Sequence, residues 1–478
     1  MLLTRRELGG LGAALSLAAI GGCAPASGLA PRPTLAPGAF DLDDLSRRTF
    51  QWFWDTANPA NGLVPDRWPS KSFCSIAAVG FALNAYAIGA ERGWITRAEA
   101  RDRTLTTLRF FATAPQGPGP SGVTGHRGFF YHFIDMDSGH RFETTELSSI
   151  DTVLLLAGIL FAGQYYDRAD PAEAEIRRLA ATINNRVDWP WMLGKGPYVS
   201  MGWNPEKGFI TSQWDRYNEA TLLYLLALGS PTHPINPRIW TRWTATFGLS
   251  WGNHFGERYL QFPPMFGHQY SHVWVDFRGI RDPWLRKHDL DLFENSRRAT
   301  RAQRNYAIAN PGKWVGYGKD MWGLTASDGP GDFKVNIGGR TREFFSYSAR
   351  GPGDRDDGTL APTALAASIV FEPTLVTAAL SAIHRRYGAA IYGQYGFLDA
   401  FNPTLTALPV DKTLLHGRII PGLCWVDKDY LGIDQGPIVA MIANHRDDFV
   451  WKAMRGCRPL VDGLKRAGFT GGWLDRAP

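Results

Sequence analysis

Cysteine is scarce in this chain, with four among 478 residues. Cys23 ends an apolar N-terminal stretch, and the others are Cys74, Cys424 and Cys457. Three thiols cannot all pair within one chain, so disulfides are absent or limited to one bridge. No pair of them forms a CxxC or another zinc-binding spacing, which argues against a structural zinc site.

Charged residues are also few, at 20% of the chain against about 25% in an average soluble domain. The net charge is +6, and the basic residues are scattered, with no run of five or more. Nucleic-acid binding requires a concentrated basic face, so we expect no nucleic-acid partner. The chain also lacks a P-loop, a GxSxG nucleophile elbow and an HExxH zinc motif. These absences disfavour nucleotide-binding, serine-hydrolase and zinc-protease functions.

Aromatic residues, in contrast, are abundant. They make up 13% of the chain and include 18 tryptophans, together with 52 glycines and 31 prolines. Disordered chains have few aromatics, so the bulk of this chain is expected to fold. Most of the tryptophans are expected in the core. Those on a surface of modest charge suit neutral ligands such as sugars.

The N-terminus has the layout of an export signal. Thr4–Leu8 contains paired arginines and precedes an apolar run, Leu11–Ile20, that is too short to span a bilayer. The arginine pair resembles a twin-arginine signal. We therefore predict a signal peptide of twin-arginine type over residues 1–22.

The end of this signal resembles a bacterial lipoprotein processing box, Ile20-Gly-Gly-Cys23. Residues 23–40 are then a lipid-modified cysteine followed by a flexible tether rich in Ala, Pro and Gly. The expected location is the periplasm or the outer membrane, with the lipid as the sole membrane contact. The alternative is an ordinary cleaved signal with an incidental cysteine.

From residue 41 onward, apolar residues recur at a 3.6-residue spacing, which predicts a series of helices. Two of them, 73–92 and 145–163, are apolar nearly all round, which indicates burial on most sides. Alternation of such helices with amphipathic ones predicts two concentric layers. The predicted helices are 41–56, 73–92, 97–114, 145–167, 171–187, 215–229, 237–249, 288–309, 362–369, 373–387, 434–448 and 449–467.

Two long aromatic-rich loops, 250–287 and 310–361, separate some of these helices. Structureless loops of that length usually carry function. Strand-like runs are few and short, for example 271–277. Because no Pro/Ser-rich linker divides the chain after residue 41, we predict a single domain over 41–478.

Carboxylates recur in aromatic, glycine-rich surroundings. Glycoside hydrolysis requires two carboxyl groups, one protonated to release the leaving oxygen and one ionised. An apolar wall raises the pKa of the acid, and aromatic faces stack on sugar rings. The candidates and their neighbours are Asp135 and Asp137, Glu143, Glu146 and Asp151, Asp215 and Glu219, Asp328, Asp399, and Asp434.

Several of these carboxylates also have a structural interpretation. Asp151 completes a Ser148-x-x-Asp capping pattern, and Asp434 is placed to be an N-cap. Asp328 lies in an Asp-Gly-Pro turn. Glu219 falls in a predicted first helical turn, where the helix dipole favours an anion.

His268 and His272 stand four residues apart, a spacing that on a helix allows a shared metal. Their segment has strand-forming residues, however, and lacks an adjacent acidic ligand on the same face. We therefore favour hydrogen bonding to sugar, or packing, for these histidines. No metal and no cofactor are expected.

Seven motifs together carry a resemblance to a known family: Ser75–Leu83, Glu146–Thr152, Gly229–His233, Gly267–His272, Phe293–Ala299, Gly323–Pro330 and Gly432–Pro437. In this order, from about residue 45 to 470, they resemble the bacterial glucoamylase-like family. That family includes the endo-β-1,2-glucanases of glycoside hydrolase family 144. The resemblance implies an all-α fold, an (α/α)6 toroid with long aromatic-rich loops and minor β structure.

The resemblance also implies a metal-independent, inverting glycosidase acting on β-1,2-glucan. Glu219, in Arg-Tyr-Asn-Glu-Ala, resembles the family's candidate for the general acid, and Asp399, in Tyr-Gly-Phe-Leu-Asp-Ala-Phe-Asn, resembles the best candidate for the base. Related enzymes are proposed to reach the base through a water relay. We expect a monomer with an oligo- or polysaccharide substrate. The predicted substrate-binding residues are Asp135, Glu146, Asp151, Trp214, Tyr217, His268, His272, Trp322, Asp328 and Asp434.

Three other functions stay open at this point. One is a glycosidase or transglycosylase of the same fold that acts on another glucan or releases disaccharides from chain ends. Another is a lyase on acidic glycans, using groups such as His268, Tyr270, His272 and Arg278. The third is a non-catalytic glycan-binding lipoprotein. Motifs shared across the family do not choose linkage, chain length or endo against exo action.

Overall fold

The computed structural model describes residues 40–477. The predicted signal peptide, Cys23 and all of the tether except Phe40 lie outside these described residues. Sixteen α-helices occur in the described part: α1 (Leu42–Thr56), α2 (Ile76–Glu91), α3 (Arg97–Thr113), α4 (Ser149–Tyr165), α5 (Pro171–Asn185), α6 (Trp189–Met192), α7 (Thr221–Gly229), α8 (Arg238–Ala245), α9 (Tyr270–Trp274), α10 (Pro283–Lys287), α11 (Leu292–Ala309), α12 (Pro362–Ala366), α13 (Pro373–Ile391), α14 (Gly432–Asp447), α15 (Phe449–Met454) and α16 (Arg458–Arg466).

Six of these helices, α2, α4, α7, α9, α12 and α14, are buried along almost their whole length. Each follows an outer helix, respectively α1, α3, α5, α8, α11 and α13. Helix α2 packs against α4 and α14, α4 packs against α7, and α12 packs against α14. This arrangement is the predicted (α/α)6 toroid. Because every inner helix is reached from an outer one, the inner helices run in the same direction and their N-termini gather at one end.

Glycines allow the inner helices α2 and α4 to approach closely. A Cβ atom on Gly80 would lie 2.2 Å from the carbonyl oxygen of Leu154, and one on Gly158 would lie 2.0 Å from the carbonyl oxygen of Gly80. Backbone atoms cannot move aside as a side chain can. These two glycines therefore set the tight contact that begins the inner ring.

The connections at the helix ends contain short strands that form small, mostly two-stranded sheets. Two-residue ladders leave almost no alternating pattern in a sequence, so most were not predicted. The strands are β1 (Arg67–Trp68), β2 (Cys74–Ser75), β3 (Gly125–His126), β4 (Phe129–Tyr131), β5 (Phe133–Ile134), β6 (Leu147–Ser148), β7 (Gly202–Asn204), β8 (Gly208–Phe209), β9 (Trp251–His254), β10 (Glu257–Leu260), β11 (Ala326–Ser327), β12 (Phe333–Ile337), β13 (Arg340–Phe344), β14 (Ser348–Ala349), β15 (Tyr392–Gly393), β16 (Gly396–Phe397), β17 (Phe401–Asn402), β18 (Arg418–Ile420), β19 (Cys424–Val426) and β20 (Tyr430–Leu431).

Two predictions about the loops were wrong in detail. Segment 271–277, expected to be strand-like, contains most of helix α9, whose five residues are all buried among the other inner helices. The loops 250–287 and 310–361 contain the antiparallel hairpins β9–β10 and β12–β13. Burial on all sides, rather than local β propensity, decided the conformation of the first segment.

Several helix boundaries also differ from the prediction, among them the following three. The span 449–467 divides into α15 and α16, because Pro459 lies in the first turn of α16 and a proline is not tolerated in a helix interior. Helix α7 begins at Thr221, so Glu219 precedes the helix instead of lying in its first turn. Helix α14 has Leu431 as its N-cap, which places Asp434 in the first turn and not at the cap.

The cysteines Cys74, Cys424 and Cys457 are buried as free thiols. Within residues 40–477, no helix has both the length and the apolarity required to cross a bilayer.

Candidate active site

Glu219 lies at the N-terminal end of inner helix α7 and is only 6% exposed. Its backbone is held by a turn in which the Asn218 side chain accepts the N–H of Ala220, and Ser271 donates its hydroxyl to the Glu219 carbonyl. Oε2 of Glu219 has no hydrogen-bond partner among the described residues. Burial raises the pKa of Glu219 to about 7, and the nearby carboxyl of Asp151 acts in the same direction. Much of this carboxyl is therefore protonated at neutral pH, as a general acid requires.

Asp151 lies in the first turn of the neighbouring inner helix α4. The predicted capping pattern is present: Ser148 is the N-cap, its Oγ accepts the Asp151 N–H, and its hydroxyl donates to Oδ2 of Asp151 at 2.6 Å. His132 connects this carboxylate to a third one. Its Nε2 lies 3.4 Å from Oδ1 of Asp151, and its Nδ1 lies 2.8 Å from Oε1 of Glu146. Asp151, Glu146 and His132 thus form an acidic group on the side of Glu219.

Trp214 and Tyr217 shortly precede Glu219 in the sequence, and both side chains are almost fully buried. The Trp214 indole donates to Oγ of Ser149 at 2.9 Å. His268 donates from Nε2 to the Phe262 carbonyl, which leaves Nδ1 to accept the Tyr217 hydroxyl at 3.2 Å. Burial lowers the pKa of His268 to about 4, so this pair is neutral at physiological pH. The neutral pair adds no charge next to the acid candidate.

Asp399 belongs to a second group of carboxylates and is 3% exposed. It comes two residues before β17, which pairs with β19, and the N–H of Asp427 donates to the Ala400 carbonyl next to it. Oδ2 of Asp399 accepts the backbone N–H of Asp328 at 2.7 Å. Burial, together with the carboxyls of Asp434 and Asp328, raises the pKa of Asp399 well above its ordinary value. Asp399 therefore holds its proton more strongly than an ordinary aspartate does.

Asp328 is completely buried. Side chains from other parts of the chain contact the second group of carboxylates through it. Oδ2 of Asp328 lies 2.5 Å from Nη1 of Arg67 and 3.6 Å from Nδ1 of His416. Arg67 also contacts Oδ2 of Asp66 at 3.2 Å. The pairing of β1 with β20, with Arg67 opposite Leu431, brings this guanidinium beside the start of α14.

Asp427 and Asp429, which lie between β19 and β20, complete the second group. Both are buried. The N–H of Lys428 donates to Oδ1 of Asp427, and the N–H of Ser70 donates to Oδ1 of Asp429. Burial and the surrounding carboxyls raise the pKa of Asp427 well above its ordinary value. We refer to Asp66, Asp328, Asp399, Asp427, Asp429 and Asp434 as the aspartate cluster.

The N-terminal ends of the inner helices, and the connections that lead into them, thus carry most of the residues that the sequence singled out. Glu219 and Asp151 belong to one side, and Asp399, Asp328 and Asp434 to the other. The predicted roles in binding and catalysis stay predictions. Both groups of carboxylates lie at the same end of the toroid, and we expect the substrate to bind there.

Three predicted binding residues have surroundings of a different kind. Asp135 accepts hydrogen bonds from Asp137 and Ser138 within its own turn. His272 packs against phenylalanines with its Nε2 bonded to Ser296, whereas His268 bonds Tyr217 and Phe262. Trp322 is 1% exposed, and its indole N–H is unpartnered within the described chain.

Sequence reasoning did not single out His132, Asp66, Arg67, Asp427 or Asp429. The spacing Asp427-x-Asp429 just before the family motif at 432–437 was a usable signal for the last two. The others join the site through strand pairing and side-chain contacts between distant segments. No local pattern marks such contacts.

Asp328, Asp427 and Asp429 are the one group within residues 40–477 whose geometry could hold a metal ion. One oxygen of each lies within 4.8 Å of the others, and such an all-carboxylate set would suit a hard cation such as Ca²⁺. The guanidinium of Arg67 already contacts Asp328 and supplies positive charge there. The negative charge of these three carboxylates is therefore partly compensated by an arginine of the chain itself.

We expect a chelator to leave activity unchanged, because charge compensation comes from Arg67 and no zinc or EF-hand spacing occurs in the sequence. The measurement is the rate of sugar release before and after dialysis against EDTA. Loss of activity that one divalent cation restores would contradict this expectation.

Comparison with known proteins places the chain among relatives of this architecture. The family model described as "Putative glucoamylase" matches residues 211–458, slightly more than half of the chain. The chain belongs to this glucoamylase family. The prediction of a glucoamylase-like protein from the seven sequence motifs is therefore confirmed.

Two solved structures are similar to this chain over nearly the whole predicted domain. A Bacteroides uniformis protein, described in the same words as the family, is 28% identical with a TM-score of 0.77, covering 90% of this chain and 97% of that one. An endo-β-1,2-glucanase from Chitinophaga pinensis, solved with sophorotriose and glucose, is 25% identical with a TM-score of 0.74, covering 91% and 100%. These likenesses agree with the toroid described above.

A characterised relative differs in length. It is the exo β-1,2-glucooligosaccharide sophorohydrolase (non-reducing end) of Parabacteroides distasonis, 27% identical over 89% of this chain. The chain spans 57% of the length of that relative.

Proposed function

We propose that this family member is a glycoside hydrolase that cleaves β-1,2-glucan with inversion. In this proposal Glu219 is the general acid, and Asp399 is the carboxylate on the base side. Inverting hydrolysis uses one protonated and one ionised carboxyl on opposite faces of the sugar. The names of the relatives from Chitinophaga pinensis and Parabacteroides distasonis support β-1,2-glucan as the substrate.

The observation that carries the proposal is the state of Glu219. It is buried without a hydrogen bond at Oε2, and its pKa is raised to about 7. A carboxylic acid that stays protonated near neutral pH can donate its proton to a leaving glycosidic oxygen. The aspartate cluster, which contains Asp399, supplies the carboxyl groups on the base side.

The mode of cleavage has two candidates. An endo enzyme cuts within chains, as the name of the Chitinophaga pinensis relative indicates. An exo enzyme releases disaccharides from the non-reducing end, as the name of the Parabacteroides distasonis relative indicates. We propose the endo mode first and keep exo action as the alternative.

The decisive experiment incubates the purified protein with linear and cyclic β-1,2-glucan and with β-1,3-, β-1,4- and α-1,4-glucans. Chromatography should show products from β-1,2-glucan alone, and NMR of fresh product should show the α-anomer, since inversion reverses the β-linkage. Cleavage of the cyclic glucan, which has no ends, supports endo action. Disaccharide from linear glucan alone supports exo action. Turnover of another linkage, an ultraviolet-absorbing unsaturated product, or binding without turnover would overturn the proposal.

We also propose export and anchoring through Cys23, because the paired arginines and the Ile-Gly-Gly-Cys box suit a lipoprotein signal. Anchoring by several acyl chains is stable, whereas one chain alone binds weakly. Cys23→Ala should move the protein from the membrane fraction to the soluble fraction, measured by immunoblot after fractionation of the bacterial host. A wild-type protein that is already soluble and begins after residue 23 would contradict the proposal.

A further inference from the structure

Trp68 is the most exposed tryptophan of this chain. The other tryptophans, all within residues 40–477, are buried or half-buried, whereas Trp68 is 44% exposed. Burying an indole ring is strongly favourable because its apolar area is large. The fold forgoes part of that stabilisation at Trp68, and the ring stays open to a ligand.

The exposed large apolar side chains among residues 40–477 all belong to one end of the toroid, the end at which the inner helices begin. Each lies in a connection from an outer to an inner helix, or in the last turn of an outer helix. They are Trp68, Leu249, Ile308, Val315, Val410 and Leu415. Apolar surface concentrated on one face of a protein marks a binding face. Trp68 is the aromatic member of this set.

Trp68 lies in the connection between α1 and α2, and the residues beside it contact the aspartate cluster. The side chain of Arg67 reaches Oδ2 of Asp328, and the N–H of Ser70 donates to Oδ1 of Asp429 at 2.8 Å. The segment that carries Trp68 therefore borders the cluster that contains the proposed carboxylate on the base side.

Hydrogen bonds hold this segment in a defined conformation. The N–H of Asp66 donates to the Phe73 carbonyl, and the N–H of Gly432 donates to the Asp66 carbonyl, both at 2.8 Å. The Ser72 hydroxyl accepts the N–H of Arg67 at 3.2 Å. A surface that is ordered before binding avoids the entropy cost of becoming ordered on binding.

The pairing of β1 with β20 sets the direction of the Trp68 ring. Consecutive side chains of a strand point to opposite faces. Because Arg67 points to the aspartate cluster, Trp68 points away from it, on the face that it shares with Tyr430. Tyr430 in turn packs edge-on against Tyr395, with ring centroids 5.5 Å apart. The Trp68 ring thus stands at the rim, outside the carboxyl groups that act on the cleaved bond.

We propose that Trp68 is a stacking platform for a glucose unit of the glucan chain at a distance from the cleaved bond. This assignment rests on the proposed function. A glucose ring has an apolar face of C–H groups, and an indole offers a flat, uncharged surface of matching size. Trp68 binds the part of the chain that leaves the site over the rim, and it therefore favours long glucans over short ones.

The test measures kcat and KM of the wild type, Trp68→Ala and Trp68→Phe on two substrates. One is long linear β-1,2-glucan, and the other is the shortest β-1,2-glucooligosaccharide that the wild type cleaves. In Trp68→Ala, KM for the long glucan should rise about tenfold with kcat nearly unchanged, because the lost contact is equal in the ground state and the transition state. Both constants for the short substrate should stay within about twofold, and Trp68→Phe should keep KM for the long glucan within about threefold, since phenylalanine retains an aromatic face.

A matched control is Trp473→Ala, which removes a half-buried tryptophan at the opposite end of the toroid. The Trp473 indole donates to the Asp276 carbonyl, just beyond the C-terminal end of α9. Its KM values for both substrates should equal those of the wild type. An unchanged KM of Trp68→Ala on the long glucan would overturn the inference. So would an equal change on both substrates, which a merely structural role predicts.

A second measurement does not depend on the folding of Trp68→Ala. Oxidation of Trp68 by N-bromosuccinimide is followed by peptide mass spectrometry in Glu219→Gln, with and without long β-1,2-glucan. The glucan should slow oxidation of Trp68 and leave that of Trp473 unchanged, and equal oxidation of Trp68 in both samples would contradict the assignment. A wild type that cleaves no glucan would instead overturn the proposed function. The protection experiment on that wild type would still decide whether Trp68 binds the chain.

Discussion

Glu219→Gln should lower turnover of β-1,2-glucan by two to four orders of magnitude, on the order of what a general acid contributes. Glutamine has nearly the shape of glutamic acid but no proton to give to the leaving oxygen. Substrate binding, measured by calorimetry, should largely survive. In the wild type, turnover should fall as the pH rises through about 7, where Glu219 loses its proton.

Glu219→Gln should also change how the stability of the protein depends on pH. Because the pKa of Glu219 is raised on folding from an ordinary 4.5 to about 7, the unfolded chain ionises first as the pH rises. The wild type therefore loses free energy of unfolding between about pH 4.5 and 7, on the order of 3 kcal/mol in total. Glu219→Gln does not titrate, so its Tm relative to that of the wild type should rise between pH 5 and pH 8.

Glu99→Gln is the matched control for Glu219→Gln. Glu99 closes the capping box of α3 with Thr96, and glutamine serves equally in that position. Its turnover should match that of the wild type, and so should the change of its Tm between pH 5 and pH 8, a range that lies above the lowered pKa of Glu99. A Glu219→Gln variant with near wild-type turnover would remove Glu219 from the role of acid.

Asp399→Asn should also lower turnover by roughly two or more orders of magnitude, because an amide cannot accept a proton from the attacking water. Its side-chain oxygen can still accept the N–H of Asp328, so the fold and substrate binding should be kept. Removing one ionisable group from a crowded cluster should not destabilise the protein. The measurements are kcat, the dissociation constant of the substrate and Tm.

Asp170→Asn is the control for this change, since asparagine caps helix α5 as well as aspartate does. It should behave as the wild type. If Asp399→Asn retains near wild-type turnover, the base moves to Asp151, Asp434 or Glu146, to be tested in that order. The positions of these carboxylates at the N-terminal ends of inner helices make them the next candidates.

The sequence by itself determined the helices and the family. The 3.6-residue apolar spacing predicted the outer helices and five of the six inner ones within residues 40–477, because burial of a helix face requires apolar residues at that interval. The motifs around Glu146, Glu219 and Asp434 identified residues at the same end of the toroid. Local rules also predicted the Ser148–Asp151 cap, since capping depends on neighbours in the chain.

Tertiary structure decided the rest. Segment 271–277 has strand-forming residues, yet much of it is helical in α9 because it is enclosed by other inner helices. Pairing of β1 with β20 brings Arg67 across more than three hundred residues to the aspartate cluster. Charge compensation and raised pKa values arise from distances between segments far apart in the chain. Such distances exist only after the toroid closes, and therefore no local pattern encodes them.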